Sequence, residues 1–289
     1  MSRKPLVIYH AHCTDGLTAA WVARRSLHDA DLHPASHGSS PPDMTGRDVY
    51  MLDFAYPRPA MEAIARRVQT LVLLDHHKTA AADLAGLGAT APNIRLEFDM
   101  HRSGARLAWD WFHPDKREDA PWLVRYVEDR DLWRFALPYS RQVTTGIDAY
   151  EHTLESWDAL AERDLEEVAR EGRVIETYRR RCIEAACTLA VPMVIAGYLV
   201  RATNCSERRF ASDTAMALAD GFPFGATYWI AASGAARFSV RSPTEGLDVS
   251  EIAKTFGGGG HEHAAGFEVS LEELVQMIRA GAAAGPHSA

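Results

Sequence analysis

The sequence predicts an α/β protein made of a parallel-sheet N-terminal domain over residues 1–150, a linking helix over 151–189 and a smaller α+β C-terminal domain over 190–289. Two patterns carry this reading. In the first half, apolar runs such as Pro5–Tyr9, Val49–Leu52 and Leu71–Leu74 alternate with stretches of helical periodicity. That alternation builds βαβ units around a parallel sheet. Past residue 190, strand-like runs follow one another with little helix between them, which suits a hairpin-based α+β unit.

In order, strands are predicted at about 5–10, 49–53, 71–75 and 94–98, and helices at about 16–28 and 58–68. Between the first helix and second strand, Pro34, Ser36, Gly38, Ser39, Ser40, Pro41, Pro42 and Gly46 mark a surface connection with room for one short strand. After the strand at 94–98, Asp99, His101 and Ser103 lead into a helix, with Ser103 placed to cap it and Leu107, Trp109, Trp111 and Phe112 as packing residues. From Leu154 to Cys187, apolar positions recur at Leu160, Leu165, Val168, Ile175 and Tyr178. This spacing gives one long helix or two abutting ones. A strand-like run over 194–200, a helix near 210–219 and a hairpin made of Ala226–Ala231 and Arg237–Arg241, joined near Ser233-Gly234, complete the second domain before a frayed tail at 280–285. The tryptophans at 109, 111, 122, 133, 157 and 229 read mostly as core, and His28, His33, His37, His113 and His152 as solvent-facing.

A chain of 289 residues can bury two cores, and a net charge of -8 argues against a broad grip on duplex DNA. A short anionic substrate remains compatible, because Arg102, Arg106, Arg130 and Arg241 with a bound divalent metal can offset its charge locally. Cys13, Cys182, Cys187 and Cys205 lack CxxC spacing and no secretory signal is evident, so a reduced, cytoplasmic protein is expected. No run approaches the roughly 18 apolar residues of a membrane span.

Chemistry-bearing residues collect at strand ends. Thr70–Leu74 runs into Asp75, His76 and His77; Val49–Leu52 ends at Asp53; Pro5–Tyr9 ends at His10 and leads to His12, Cys13 and Asp15. In open α/β sheets, ligands bind beyond the carboxyl ends of strands, so these clusters can converge on one metal-holding crevice.

The series His10-Ala11-His12-Cys13-Thr14-Asp15-Gly16, then Leu52-Asp53, then Asp75-His76-His77 resembles the motifs of the DHH phosphoesterase family in order and spacing. The segment Leu123–Trp133 resembles its fourth motif, with Asp129 as the match and Asp131 as the alternative. The resemblance implies that His10 and Asp53 hold one metal and that Asp15, Asp53, His76 and Asp129 hold a second, with Asp53 bridging. Two divalent ions so placed lower the pKa of a shared water and neutralise phosphoryl oxygens. It further implies that Asp75 orients a neighbouring histidine, that His77 contacts a phosphate oxygen, and that the metal is manganese, with magnesium, cobalt or zinc as alternatives. The family's first motif carries aspartate where this chain has Cys13. A thiolate there would favour softer metals, whereas a neutral thiol would weaken that site. His12 is a nearby substitute.

The second cluster is Phe256-Gly257-Gly258-Gly259-Gly260-His261-Glu262-His263-Ala264-Ala265-Gly266-Phe267. Four glycines in a row point to a backbone with positive φ or a close approach, and their amides can form an anion-binding concavity. The string resembles the signature of the C-terminal domain found in the nuclease and nano-RNA branch of the same family. That resemblance implies substrate binding by Gly258, Gly259, Gly260 and His261, with Arg241 gripping a phosphate in bidentate fashion. The expected function is therefore metal-dependent hydrolysis of short single-stranded oligonucleotides or nucleotides in a cleft between the domains. Phe224, Tyr228 and Phe238 are the candidates for stacking on a base. Hydrolysis of polyphosphate and catalytically weak nucleotide sensing are the alternatives.

Overall fold

The computed structural model describes residues 3–284. The elements run β1 (Leu6–His10), α1 (Thr14–Ser26), β2 (Asp31–Ala35), β3 (Asp48–Leu52), α2 (Arg58–Ala65), β4 (Thr70–Asp75), α3 (Lys78–Asp83), α4 (Leu87–Thr90), β5 (Ile94–Phe98), α5 (Gly104–Phe112), α6 (Trp122–Asp131), α7 (Ser140–Ile147), α8 (Leu154–Ala161) and α9 (Leu165–Thr188). They continue with β6 (Val191–Ile195), β7 (Tyr198–Asn204), α10 (Arg208–Leu218), β8 (Gly225–Ile230), β9 (Ala236–Arg241), α11 (Val249–Lys254), β10 (Gly259–His261), β11 (Ala264–Val269) and α12 (Leu271–Ala283). The chain divides into two compact units, Met1–Glu176 and Thr177–Ala289, and the division falls inside α9.

The first unit has a five-stranded sheet in the order β2-β1-β3-β4-β5, with every neighbouring pair parallel. Because side chains alternate across a strand, Leu6, Ile8, Met51, Leu71 and Leu73 enter one core, while Val7, Leu52 and Leu74 enter another. Burial on both faces explains why these strands read as continuous apolar runs. The exception is β2, whose Asp-Leu-His-Pro-Ala sequence suits an edge, where proline's missing donor is tolerated. The region after Leu154 resolves into two helices, α8 and α9. The first is docked by Trp157 Nε1 donating to buried Thr18 Oγ1 at 2.8 Å and by Trp21 Nε1 donating to Asp158 Oδ1 at 2.9 Å.

The second unit holds a mixed six-stranded sheet, β10-β11-β9-β8-β7-β6. The run over 194–200 is split into a β6–β7 hairpin by Ala196 and Gly197, both with positive φ (49° and 85°), the backbone that tight hairpins demand. The expected hairpin between β8 and β9 is present. The expected frayed tail is replaced, as far as the described residues extend, by the end of α12. There Gly281 is packed so closely that a Cβ would lie 2.3 Å from the Pro192 carbonyl oxygen; Gly285 lies outside the described residues. Among the described residues, no helix is long and apolar enough to cross a membrane.

Candidate metal centre

Leaving β1, the chain turns outward to β2 and then returns to add β3 on the other side. This reversal of winding direction is the topological switch point, where the ends of adjacent strands open a crevice. His10 ends β1 and Asp53 follows β3 directly. Asp53 is in the left-handed region at φ 55°, its amide donating to the Leu74 carbonyl at 2.9 Å. A non-glycine residue in that conformation costs about 1–2 kcal/mol, so the surrounding structure must hold it.

The two oxygens of Asp53 face different groups. Oδ2 lies 3.4 Å from His10 Nδ1 and accepts from Cys13 Sγ at 3.4 Å. Oδ1 lies 3.2 Å from His76 Nε2. His76 Nε2 is in turn 3.7 Å from Asp15 Oδ2 and 3.4 Å from Asp131 Oδ2. His10–Cys13–Asp53, Asp15–Asp53–His76 and Asp53–Asp75–His77 each bring their donor atoms within 4.8 Å of one another, the spacing of groups that share a cation.

The supporting contacts explain how the chain places these side chains. Asp15 receives hydrogen bonds from the amides of Gly104 at 2.6 Å and Ala105 at 2.9 Å, so it sits on the N-terminus of α5, where orphan donors and the helix dipole favour a carboxylate. Gly104 is needed there: a Cβ would lie 2.5 Å from Asp53 Cβ and 2.8 Å from Asp15 Oδ2. Ser103 caps the same helix, accepting from the Arg106 amide at 3.2 Å. Asp75 Oδ1 accepts from the His76 amide at 2.7 Å and from His77 Nδ1 at 2.6 Å. Asp75 thus fixes the orientation of His77.

The fourth motif is placed differently from the expected match. Asp131 points at His76, whereas the Asp129 carboxylate accepts from the amides of Ala136 at 2.9 Å and Leu137 at 3.3 Å and from the Ser140 hydroxyl. With those bonds Asp129 organises the loop after α6. His12, exposed and left-handed at φ 57°, joins none of the donor groups found among the described residues.

The electrostatics call for added positive charge. Burial and the neighbouring Asp53 push Asp15 well above the usual carboxylate range, and burial raises Asp131, with repulsion from Asp53 outweighing part of the relief given by His76. Burial also acts to raise Asp53, yet His10, His76 and His77 hold it well below that range. His77 resists the lowering effect of burial and is pushed up to about 9, chiefly by Asp75. Burial and then the carboxylates of Asp53, Asp131 and Asp15 raise the Cys13 thiol, so without a cation it is a neutral donor. Buried atoms in the centre, His10 Nδ1 and Asp75 Oδ2 among them, make no hydrogen bond among the described residues. Carboxylate and imidazole donors, mutual carboxylate repulsion and orphaned buried atoms together fit divalent cations.

Two of the proposed charge-offsetting arginines are already engaged. Arg102 pairs with Asp99, Asp110 and Glu97, and Arg106 with Asp110. His37 is exposed, as the sequence reading expects, yet its ring lies 5.4 Å from that of His10. Nothing in the local sequence marks it, because the long excursion through β2 brings it back. Gly104 leaves a faint mark, a small residue directly after a cap.

In the second unit, Arg241 ends β9 and its guanidinium donates to Ser212 Oγ at 2.7 Å, Ser239 Oγ at 3.1 Å and the Val240 carbonyl at 2.8 Å. The glycine run is not an open loop: Gly259–His261 form β10, paired antiparallel with β11. Close approach sets the need for glycine, since a Cβ would lie 2.2 Å from the Gly266 carbonyl oxygen at Gly258 and 2.5 Å from that of Ala264 at Gly260. Gly257 instead takes positive φ, 75°, in open space. Two of the candidate base-stacking rings are spoken for: Phe224 is fully buried, and Phe238 is stacked between Tyr228 and Phe267 at 5.5 and 4.7 Å, while Tyr228 is half-buried.

Residues 212–283 match the DHHA1 domain. Over 92% of its length the chain is 28% identical to the uncharacterized protein R106 of Acanthamoeba polyphaga mimivirus, covering 67% of that protein. The fold is similar to that of the pGpG-specific phosphodiesterase PggH from Vibrio cholerae, with TM-score 0.53, 13% identity and 96% and 97% of the two chains covered. It is also similar to RecJ of Thermus thermophilus, solved in complex with Mn2+, with TM-score 0.52, 17% identity and coverage of 98% of this chain but 52% of RecJ. The C-terminal unit thus carries a DHHA1 domain, and the parallel sheet before it, with His10, Asp53 and Asp75-His76-His77 at its strand ends, belongs to a fold similar to those of PggH and RecJ.

Proposed function

We propose that the protein is a divalent-metal-dependent phosphodiesterase acting on short single-stranded oligonucleotides or on nucleotides. The observation that carries this reading is the division of the Asp53 carboxylate, with Oδ2 toward His10 and Cys13 and Oδ1 toward His76. One side chain thereby joins two donor groups, as a bridging ligand must. His10, Cys13 and Asp53 would hold one ion, and Asp15, Asp53, His76 and Asp131 the other. When bound, such ions make a water acidic enough to attack at neutral pH and offset charge on the phosphoryl oxygens. Manganese is the proposed metal, in keeping with the donor set and with the Mn2+ complex of RecJ.

The remaining roles belong to this chain's own groups. Asp75 holds His77 through Nδ1, and His77 contacts a phosphate oxygen. Arg241, oriented by Ser212 and Ser239, and His261 bind the substrate's phosphates, and Gly258, Gly259 and Gly260 keep the supporting backbone close to β11. The short-substrate preference is supported by the likeness in fold to PggH, a protein specific for pGpG. The four free cysteines fit a reducing, cytoplasmic setting.

The test is a substrate panel in manganese: a 5'-labelled dinucleotide, a five-nucleotide RNA, long single-stranded DNA, a nucleoside 3',5'-bisphosphate and polyphosphate. Mononucleotides should be released fastest from the two shortest oligonucleotides. Preference for polyphosphate, or no turnover of any member by metal-loaded protein, would defeat the proposal.

A further inference from the structure

The loop after α6 has features that packing alone does not require. Trp133, Phe135 and Tyr139 all occupy the left-handed region, at φ 56°, 48° and 57°. Such residues are held in place only where surrounding bonds over-determine them. Asp129 provides those bonds: its carbonyl accepts from the amides of Arg134 at 2.8 Å and Phe135 at 3.3 Å, and its carboxylate takes Ala136, Leu137 and Ser140. The result is a rigid display of rings at the surface. Trp133 and Phe135 are half-buried and meet edge to face at 5.1 Å, while Tyr139 is 57% exposed.

Cationic groups flank these rings. The Arg130 guanidinium lies 4.6 Å from the Trp133 ring centre, and that of Arg141 lies 3.8 Å from the Phe135 ring centre. A shallow pocket of about 270 Å³ is lined by Phe135, Tyr139, Ser140, Arg141 and Gln142, among others. It is tied to the helix that supplies Asp131: Ser140 on its wall is bonded to Asp129, two residues before Asp131 on α6. Aromatic faces next to cations suit a flat ring attached to a phosphate. Stacking on such rings tolerates any base, because every base has a π face.

Resting on the phosphodiesterase reading above, we infer that the pocket of Phe135, Tyr139 and Arg141 is a nucleobase subsite, with Tyr139 as the stacking ring and Arg141 on the adjoining phosphate. Asp129 is its positioning residue. The subsite gives the enzyme preference for base-bearing phosphoesters and takes a role that the buried Phe224 and Phe238 cannot fill.

The experiment is calorimetric binding of adenosine 5'-monophosphate and of ribose 5-phosphate to the full chain in manganese, for the parent, Tyr139→Asn and Phe135→Leu. Asparagine tolerates the left-handed conformation, so Tyr139→Asn removes the ring and spares the loop. The parent should bind the nucleotide about tenfold or more tighter than the sugar phosphate. Both variants should lose most of that advantage, and Tyr139→Asn should leave the affinity for ribose 5-phosphate unchanged. Equal binding of the two ligands by the parent, or an advantage that survives Tyr139→Asn, would overturn the inference. Cleavage of a dinucleotide is measured on the same samples. A parent that shows the nucleotide preference and its loss in Tyr139→Asn, yet leaves the dinucleotide intact, would support the subsite and defeat the phosphodiesterase reading.

Discussion

The two motif regions use their residues in opposite ways. At the ends of β1, β3 and β4 the chemistry lies in side chains: Asp53, His10, His76 and Asp131 meet atom to atom, and the backbone only delivers them. In the Gly257–His261 segment the backbone itself is the feature. Gly258 is glycine because β11 leaves no room for a Cβ, Gly257 because of its φ, and Gly260 for both reasons, with φ 145° and the same close approach. A motif of functional side chains and a motif of missing side chains look equally prominent in a sequence, yet they fail in different ways when mutated.

The largest effect is expected from Asp53→Ala. Loss of the carboxylate shared by both donor groups should lower kcat by about a thousandfold or more, the scale of losing a major electrostatic element, with the circular dichroism spectrum retained. Activity near the parent level would break the bridging assignment. Next in size, Asp131→Asn should weaken manganese binding, read by calorimetry, on the order of the 10- to 100-fold that ligand-shell changes produce. Asp129→Asn should leave that affinity close to the parent's, because Asp129 bonds to the loop instead. The reverse result would restore Asp129 as the ligand.

The glycine segment sharpens the contrast on the stability scale. Gly258→Ala should cost about 1–3 kcal/mol, since a Cβ would overlap strand backbone. Gly257→Ala, which meets only conformational strain in open space, should cost about 1 kcal/mol. Denaturant unfolding would measure both; equal costs would mean that close approach is not the reason for Gly258. The smallest effect concerns Cys13. Because burial and three carboxylates raise its thiol pKa, it should be alkylated by iodoacetamide at pH 8 more slowly than an ordinary exposed thiol, with the rate rising as pH passes the usual thiol range. A rate like that of a free thiol would contradict the electrostatic description of the centre.

Much of this arrangement was legible in the sequence because buried parallel strands are apolar along their whole length, so the first polar residue after each run marks a crevice. His10, Asp53 and Asp75-His76-His77 declare themselves in that way. What stayed hidden had no local mark. Asp129 and Asp131 share one helix end, and only the loop that closes on Asp129 separates their roles. The strand β2 carries exposed Asp31 and Pro34, so its membership in the sheet rests on pairing with β1 rather than on alternation. The glycine run reads as a loop until its close approach to β11 accounts for the missing Cβ at Gly258 and Gly260. Phe238 and Trp133 show the same limit from the other side: aromatic identity does not reveal which ring is sandwiched in a core and which is left at a surface.

The proposed two-ion centre depends on Asp53 serving both donor groups. The most direct test is the manganese stoichiometry of the parent and of Asp53→Asn, measured by equilibrium dialysis with metal analysis of the protein fraction. Two ions per parent chain, falling to one or none in the variant, is the expected result. A parent that binds no manganese, or a variant that keeps both ions at parental affinity, would contradict it.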